Sequence, residues 1–278
     1  MDSATHVYNH VTFGSRYADG LGLTNMTVDG NGKLAAHAQI GVANGNIWDE
    51  DINHVITDAD PQELSPIAYL PVFYRDGLTE WISIPADAYP MLGIGTGRPA
   101  WNEQNTGDAT WGLTEVGSND YTLSHIFATG DINTPVIVIM GQAEYSTLAL
   151  ARAGAEVEIN TLTFGDIDTL TPEFVPIATI IIQASDTYTN LLKARIRSTD
   201  SGDDYIDWRT SGAGGSGGTS APVWGDIGGT LANQTDLQAE LDDRASLSDL
   251  ATQVFLGPIQ FNSTNAPASV LAAVDAAE

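Results

Sequence analysis

The chain has 278 residues, 42% of them hydrophobic, which is enough for about two domains with a real core in at least one of them. Ten Lys and Arg stand against 36 Asp and Glu, so the formal net charge is -26, and we expect no nucleic-acid binding because this field repels phosphates. Cysteine is absent, which excludes disulfides and thiol nucleophiles, and no run of about 18 apolar residues occurs, so we expect no membrane insertion.

Residues 1–54 are predicted to be a strand-rich attachment segment. Short apolar runs alternate with glycines, and Val28–Lys33 carries the Asp-Gly and Asn-Gly pairs of a tight reversal. The segment could attach to a partner or pack as a hairpin on the next domain, and both alternatives stay open. His6 and His10 lie in a strand-like pattern where a spacing of four is too wide for easy chelation, so no metal site is predicted there.

Residues 55–210 are predicted to form an antiparallel β-sandwich, which makes the fold class mainly β. Turn residues recur along this stretch, and only Thr147–Ala155 has the pattern of a short helix. Three runs rich in β-branched or aromatic residues predict buried strands: Ile67–Tyr74, Pro135–Met140 and Ile177–Gln183.

A hairpin with one solvated face is predicted near the end of this domain. Lys193–Ser198 and Tyr205–Arg209 both alternate charged with apolar residues, and Thr199–Asp204 lies between them as the turn. This arrangement would gather a large share of the basic residues on one face: Lys193, Arg195 and Arg197, with Asp207 and Arg209 opposite.

The turn itself raises the question of a calcium site. Asp200, Asp203 and Asp204 lie close to Gly202, although their spacing differs from that of an EF-hand. The alternative is a solvated turn whose side chains cap backbone N–H groups. Calcium at this turn is the single cofactor considered, and no other metal or cofactor is predicted.

Three further segments complete the chain: a Gly/Ser linker (residues 211–222), a fibre motif with a trimerising helix (223–256) and a C-terminal tail (257–278). Thr235 and Gln238 form a capping box at the start of this helix. The helix that follows is too short to be stable alone, and its apolar stripe is narrow. We therefore expect identical chains to cover this stripe, as in a coiled coil. The predicted trimer contacts are Leu231, Leu237, Leu241, Leu247 and Leu250.

Residues Trp224–Arg244 follow the pattern Trp-Gly-x-Ile-x-Gly-Thr-Leu-x-Asn-Gln-Thr-Asp-Leu, and they resemble a segment that recurs in fibre proteins of tailed bacteriophages. A second similarity, to a β domain of such proteins, extends over about Trp111–Trp208. Its order and spacing match at four runs: Leu123–Asp131, Gly141–Tyr145, Glu173–Thr179 and Lys193–Asp200.

The resemblance implies a trimeric, non-enzymatic component of the virion. It is compatible with a tail fibre or fibre-attachment protein serving host adhesion and assembly, and also with a head or collar decoration fibre. The expected partners are two further copies of the chain, other proteins of the tail, collar or head, and a glycan of the host surface.

No motif for catalysis is found in the sequence. Neither a Gly-x-Ser-x-Gly elbow nor a His-Glu-x-x-His pair occurs, and His125 lies in an apolar run typical of a core histidine. The alternative from another class is a polysaccharide-cleaving tailspike that uses paired carboxylates. The sequence lacks the repeats of a long β-helix, which weakens that alternative.

Three tryptophans are the candidates for glycan contact. Trp81, Trp101 and Trp111 flank a Gly- and Asn-rich stretch between Gly93 and Gly112. Exposed aromatic rings beside polar side chains stack on sugars and bind their hydroxyl groups. The alternative is that the three rings are ordinary core residues.

Overall fold

The computed structural model describes residues 14–49, 52–162 and 174–209, and these form four β-sheets and one α-helix. In chain order the elements are β1 (Ser15–Gly20), β2 (Leu23–Thr24), β3 (Gly41–Val42), β4 (Gly45–Asp49), β5 (Ile52–Asp58), β6 (Pro61–Gln62), β7 (Leu70–Asp76), β8 (Glu80–Asp87), β9 (Gly93–Ile94), β10 (Arg98–Gln104), β11 (Trp111–Glu115), β12 (Tyr121–Ala128), β13 (Val136–Met140), the helix α1 (Leu148–Thr161), β14 (Val175–Ala184), β15 (Ala194–Arg197) and β16 (Ile206–Asp207).

The largest sheet has seven strands in the order β15-β14-β12-β13-β7-β8, with β16 also paired to β14. The smaller sheets are β1-β4-β5-β6, β11-β10-β9 and β2-β3. A mainly β fold is therefore confirmed. The expectation of purely antiparallel pairing is wrong at two places, because β13 runs parallel to β7 and β5 runs parallel to β6. The chain between β7 and β13 is long enough for the crossover that parallel strands need.

The middle strands of the large sheet are buried on both faces. Every residue of β13 is buried, as are seven of the eight residues of β12 and nine of the ten of β14. β13 and most of β14 are near-continuous apolar runs, as expected for strands covered on both faces, whereas β12 also buries Thr122, Ser124 and His125. The three predicted strands are confirmed as β7, β13 and β14, with shifts of a few residues at their ends; β13 and β14 are buried as predicted, whereas β7 is only half-buried at Phe73 and Tyr74.

One face of the large sheet packs into the main hydrophobic core. Ile126, Val138 and Ile180 from this face share a cluster with residues of the smaller sheets, such as Ile47 and Ile56. The predicted boundary between residues 54 and 55 falls inside β5, and the core continues across it. The first predicted segment is thus packed on the next one throughout its described part.

The opposite face of the sheet packs against α1. Thr147 caps the helix, since its side chain accepts a hydrogen bond from the Leu150 backbone N–H at 3.2 Å. The predicted short helix is confirmed, but it continues beyond Ala155 to Thr161. Within the described residues, no helix has the length and apolar character needed to span a bilayer.

The predicted hairpin near the C-terminal end of this domain is wrong. β15 pairs with Ile181–Ala184 and β16 pairs with Ala178–Thr179, so both lie along the same edge of β14. They run in the same direction, and the residues between them leave the sheet and return to it. An alternating pattern suits either arrangement, and the ten-residue length of β14 leaves room for both short strands on one edge.

The predicted reversal at Val28–Lys33 covers a sheet edge instead of joining two strands. Asp29 and Gly32 adopt positive φ angles of 56° and 71°, as the Asp-Gly and Asn-Gly pairs predict. The Asp29 backbone N–H then donates to the Ile196 carbonyl at 3.0 Å. The loop therefore pairs with the outer side of β15, which would otherwise be an open edge.

Asn102 of β10 joins the three-stranded sheet to the large sheet. Its amide Oδ1 accepts from the Arg75 backbone N–H at 2.7 Å, and its Nδ2 donates to the carbonyls of Arg75 at 2.8 Å and Gly112 at 3.1 Å. Its own N–H donates to Gly141 O at 2.9 Å, just beyond the end of β13. The buried Asn102 side chain thus hydrogen-bonds to the backbone of β7 at a point where β13, the neighbour of β7, has already ended.

We predict that Asn102→Ala lowers the free energy of unfolding by about 3 kcal/mol, because two buried backbone groups of Arg75 and the partly buried Gly112 carbonyl lose their partner. The matched control is Gln104→Ala on the same strand, whose exposed amide makes one long bond of 3.3 Å to Ala109 O. The control should stay within about 0.5 kcal/mol of the unchanged protein. Urea denaturation measures both, and equal losses would contradict the role assigned to Asn102.

Candidate functional site

The three candidate tryptophans lie on different surfaces. In the β10–β11 hairpin Gln104 pairs with Trp111 and Trp101 pairs with Thr114, which puts the two indoles on opposite faces of the hairpin. Trp81 lies in β8 and packs against a cluster beside α1. The structure therefore does not bring the three rings together on one platform.

The ring of Trp111 stacks on the Arg75 guanidinium. Arg75 is directly opposite Trp81 in the β7–β8 pair, and its Cζ lies 4.5 Å from the centroid of the Trp111 ring. Arg75 is buried, and its Nη2 donates to Leu78 O at 3.5 Å. The cation and the indole stabilise each other by a cation–π contact. Trp111 thus serves the packing of Arg75, whereas Trp81 packs against the hydrophobic cluster beside α1.

Trp101 is the tryptophan whose neighbours are polar. Glu103 and Thr114 share its face of the hairpin, and Thr114 Oγ1 donates to Glu103 Oε2 at 2.5 Å. All three residues are partly buried. The indole N–H of Trp101, like that of Trp111, is buried and finds no acceptor among the described residues. An aromatic ring beside a carboxylate and a hydroxyl is the combination that contacts sugars.

Sequence reasoning did not single out Trp48, which is 40% exposed and the most open tryptophan of the described part of the chain. It lies in β4 opposite Asn53 of β5. Val55 is 64% exposed on the same face of this sheet. No sequence signal separates Trp48 from the other tryptophans, since its exposure depends on which face of the sheet is covered.

A buried polar series connects the large sheet with α1. His125 and Thr179 face each other on β12 and β14, and both are fully buried. Thr179 Oγ1 lies 2.8 Å from His125 Nδ1 and accepts from Trp208 Nε1 at 2.8 Å. The prediction of His125 as a satisfied core histidine is confirmed.

The series ends at Glu158 of α1. One carboxylate oxygen lies 3.1 Å from His125 Nε2 and accepts from the Gln142 backbone N–H at 2.7 Å. The other accepts from the Tyr145 hydroxyl at 2.6 Å. Burial raises the pKa of Tyr145 and the Glu158 charge raises it further, so this hydroxyl keeps its proton. Glu158 therefore receives three hydrogen bonds in a site that is almost sealed from water.

An indole N–H can only donate, so the Thr179 oxygen accepts from Trp208 Nε1 and makes its second contact with His125 Nδ1. The other ring nitrogen of His125, Nε2, faces the Glu158 carboxylate. Each of the five side chains has a hydrogen-bond partner, and we name this arrangement the buried relay: Trp208, Thr179, His125, Glu158 and Tyr145.

The buried relay contains a hydroxyl, an imidazole and a carboxylate, as a hydrolase triad does, but its hydroxyl is not accessible to a substrate. A hydroxyl nucleophile must reach a substrate, whereas Thr179 is 0% exposed and its oxygen is already bound to Trp208. Sheet residues line it on one side and α1 covers it on the other. The geometry makes it a connection between helix and sheet.

In the turn considered as a calcium site, the hydroxyl groups of Thr199 and Ser201 form hydrogen bonds to Asp203. Thr199 Oγ1 accepts from the Asp203 backbone N–H at 3.0 Å, and Ser201 Oγ donates to the Asp203 carboxylate at 3.0 Å. In the described ranges no group of three or more His, Cys, Asp or Glu side chains is placed to hold a metal ion. Calcium binding by Asp200, Asp203 and Asp204 stays a prediction, which calorimetric titration tests.

Several predicted sites lie outside the described residues. These are the linker, the fibre motif, and the trimer contacts Leu231, Leu237, Leu241, Leu247 and Leu250. His6 and His10, where no metal site is predicted, lie outside them as well. No protein-family model, curated protein or solved structure matches the chain.

We predict that Thr179→Val lowers the free energy of unfolding by about 2–4 kcal/mol, since it leaves the Trp208 N–H and His125 Nδ1 buried without partners. Thr179→Ser keeps the hydroxyl and should lose about 1 kcal/mol, for one methyl group. Urea denaturation followed by Trp fluorescence measures both. A valine variant as stable as the serine variant would show that the relay does not hold α1 to the sheet.

Proposed function

We propose that this chain is a trimeric, non-catalytic fibre or fibre-attachment protein of a tailed-phage virion. The observation that carries the proposal is the Trp224–Arg244 segment, whose order and spacing resemble those of a segment recurrent in such fibres. The β-rich architecture of the preceding domain is consistent with it. The buried relay supports the non-catalytic part, because it assigns a structural role to a hydroxyl, an imidazole and a carboxylate that would otherwise suggest hydrolysis.

The described domain is proposed to be a β-sandwich in the broad sense. The large sheet contributes one face to the main core, and the β1-β4-β5-β6 sheet contributes Ile47 and Ile56 from its own. Two β layers that share a core in this way suit a fibre, because they present wide lateral surfaces without requiring a deep pocket.

Adhesion is proposed to use Trp101 with Glu103 and Thr114. Three copies of one weak sugar contact on a common axis gain effective concentration on a repetitive cell surface. Trp111 and Trp81 are less suited to this role, because the Trp111 ring stacks on Arg75 and Trp81 packs against the hydrophobic cluster beside α1.

We predict that the purified chain sediments at three times its mass of 29.4 kDa and that Leu241→Asp converts it to monomer. A carboxylate at the predicted three-fold seam would be buried without a partner. The control Ala239→Asp adds the same charge beside the predicted stripe and should stay trimeric. Analytical ultracentrifugation decides between them, and an unchanged trimer in Leu241→Asp would move the assembly contact elsewhere.

We predict that Trp101→Ala reduces binding of the purified protein to polysaccharide of the host surface by at least about fivefold, because a stacking face is lost. Trp48→Ala removes a more exposed ring from another sheet and should change binding by less than about twofold. Binding lost only in the Trp48 variant would contradict the assignment. Shortened polysaccharide chains after incubation with the unchanged protein would favour a tailspike enzyme instead.

A further inference from the structure

A cluster rich in hydrogen-bond donors lies on the α1 face of the large sheet, at its β15 edge. Arg195, Gln183 and Tyr121 are directly opposite one another on β15, β14 and β12, and Arg197 follows on the same face of β15. Tyr188 joins them from the loop between β14 and β15, with its ring centroid 5.3 Å from the Arg195 guanidinium carbon. We call these five residues the arginine cluster.

One amide oxygen receives more donors than it can satisfy. Gln183 Oε1 lies 3.0 Å from Arg195 Nε, 2.8 Å from Arg195 Nη2, 2.8 Å from Arg197 Nη1 and 3.1 Å from the Tyr188 hydroxyl. An amide oxygen has two lone pairs. Gln183 Nε2 donates to Asn119 O at 3.2 Å and to the Tyr121 oxygen at 3.0 Å, which fixes the amide in this orientation. Four donors therefore converge on one neutral acceptor.

The cluster also holds donors with no acceptor. The Tyr121 oxygen accepts from Gln183 and, at 3.4 Å, from Arg197 Nη1, so the Tyr121 proton is free to bind elsewhere. Arg197 Nη2 has no partner among the described residues. The Arg197 side chain is 20% exposed above Gln183, which is only 7% exposed. The two donors without an acceptor, the Tyr121 hydroxyl and Arg197 Nη2, therefore lie on the solvent side of the cluster, above the buried Gln183 amide.

The charges of the cluster are not balanced. Asp29 pairs with Arg197 Nε and accepts from Ser198 Oγ at 2.5 Å. Burial alone would raise the pKa of Asp29, but the bonds from Ser198 and Arg197 outweigh it and lower this pKa, so the carboxylate stays charged. Arg195 has no carboxylate within ion-pair distance in the described part of the chain, and its Nη1 donates to Gly30 O at 3.0 Å. One positive charge remains in a protein of net charge -26.

We propose that the arginine cluster binds the carboxylate of an acidic sugar. A planar carboxylate accepts two or more N–H bonds from guanidinium groups, and a hydroxyl donor beside them adds a third. A single carboxylate matches the surplus of one charge, whereas a polyphosphate or nucleic acid would meet the repulsion of the whole chain. The sugar part of this inference rests on the proposed adhesion function; the carboxylate part rests on the cluster alone.

Calorimetric titration of the full-length protein with glucuronate, and with glucose as the neutral control, tests the inference. Glucuronate should bind in the millimolar range that suits one small contact, and glucose should release no heat. Arg197→Gln should weaken glucuronate binding at least about tenfold, and Tyr121→Phe, which keeps the ring, should weaken it severalfold. Lys193→Gln removes the same charge two residues before Arg195 and should change binding by less than about twofold, because Lys193 pairs with Asp186 at 3.7 Å instead.

A measurement on the unchanged protein removes any dependence on how well the variants fold. Raising NaCl from about 20 mM to about 500 mM should weaken glucuronate binding severalfold, since the attraction is partly exposed to screening. Absence of binding, or equal loss in Arg197→Gln and Lys193→Gln, overturns the site. Inorganic sulfate that binds as tightly as glucuronate overturns the acidic sugar as its ligand. A trimer that ignores glucuronate defeats this inference alone, whereas a monomer that binds it defeats the proposed fibre.

Discussion

Two-sided burial of β12, β13 and β14 is the constraint on which the rest of the structure depends. A sheet that is apolar on both faces needs a cover on each, and the two covers differ. The smaller sheets provide an apolar cover on one side, where Ile47 and Ile56 join the core. On the other side α1 brings Ala151 and Ala155 close to the sheet and inserts Glu158 among buried groups. The polar residue is tolerated there because the buried relay satisfies it fully.

Basic residues are scarce in this chain, and the structure uses several of them in enclosed positions. Arg75 is buried beside Trp111, and Arg98 of β10 pairs with Glu115 at 2.9 Å and Asp186 at 2.8 Å. These cations neutralise carboxylates or join sheets. Arg195 differs from Arg98 because it has a polar neutral partner and no carboxylate in the described residues, and it differs from Arg75 because it is only partly buried. That contrast, within a strongly acidic protein, makes the arginine cluster stand out as a recognition surface.

The sequence predicted the parts of the fold that depend on local composition. The β-branched runs of β7, β13 and β14 and the start of α1 at Thr147 were identifiable because each signal lies within a few neighbouring residues. The end of α1 was missed because a buried Glu158 looks like a solvent-facing residue in an amphipathic pattern. The hairpin at β15 and β16 was wrong because alternation specifies which face is buried but not which strand is the neighbour.

The candidate sites depended on information that a single sequence lacks. Trp101 and Trp111 separate because of the register of β10 and β11, and no local signal gives that register. The buried relay joins Thr179 to His125 and Trp208, which are distant in the chain and meet only through strand pairing. Side-chain chemistry could therefore be anticipated residue by residue, whereas its assembly into a site could not.

We propose that three copies of this chain form one fibre of a phage particle. A cryo-EM map of virions from a phage that encodes the chain tests this proposal most directly. We expect a fibre at the tail, collar or head in which three β domains of this fold surround one axis. A particle without the chain, or with copies arranged about anything other than a three-fold axis, would contradict it.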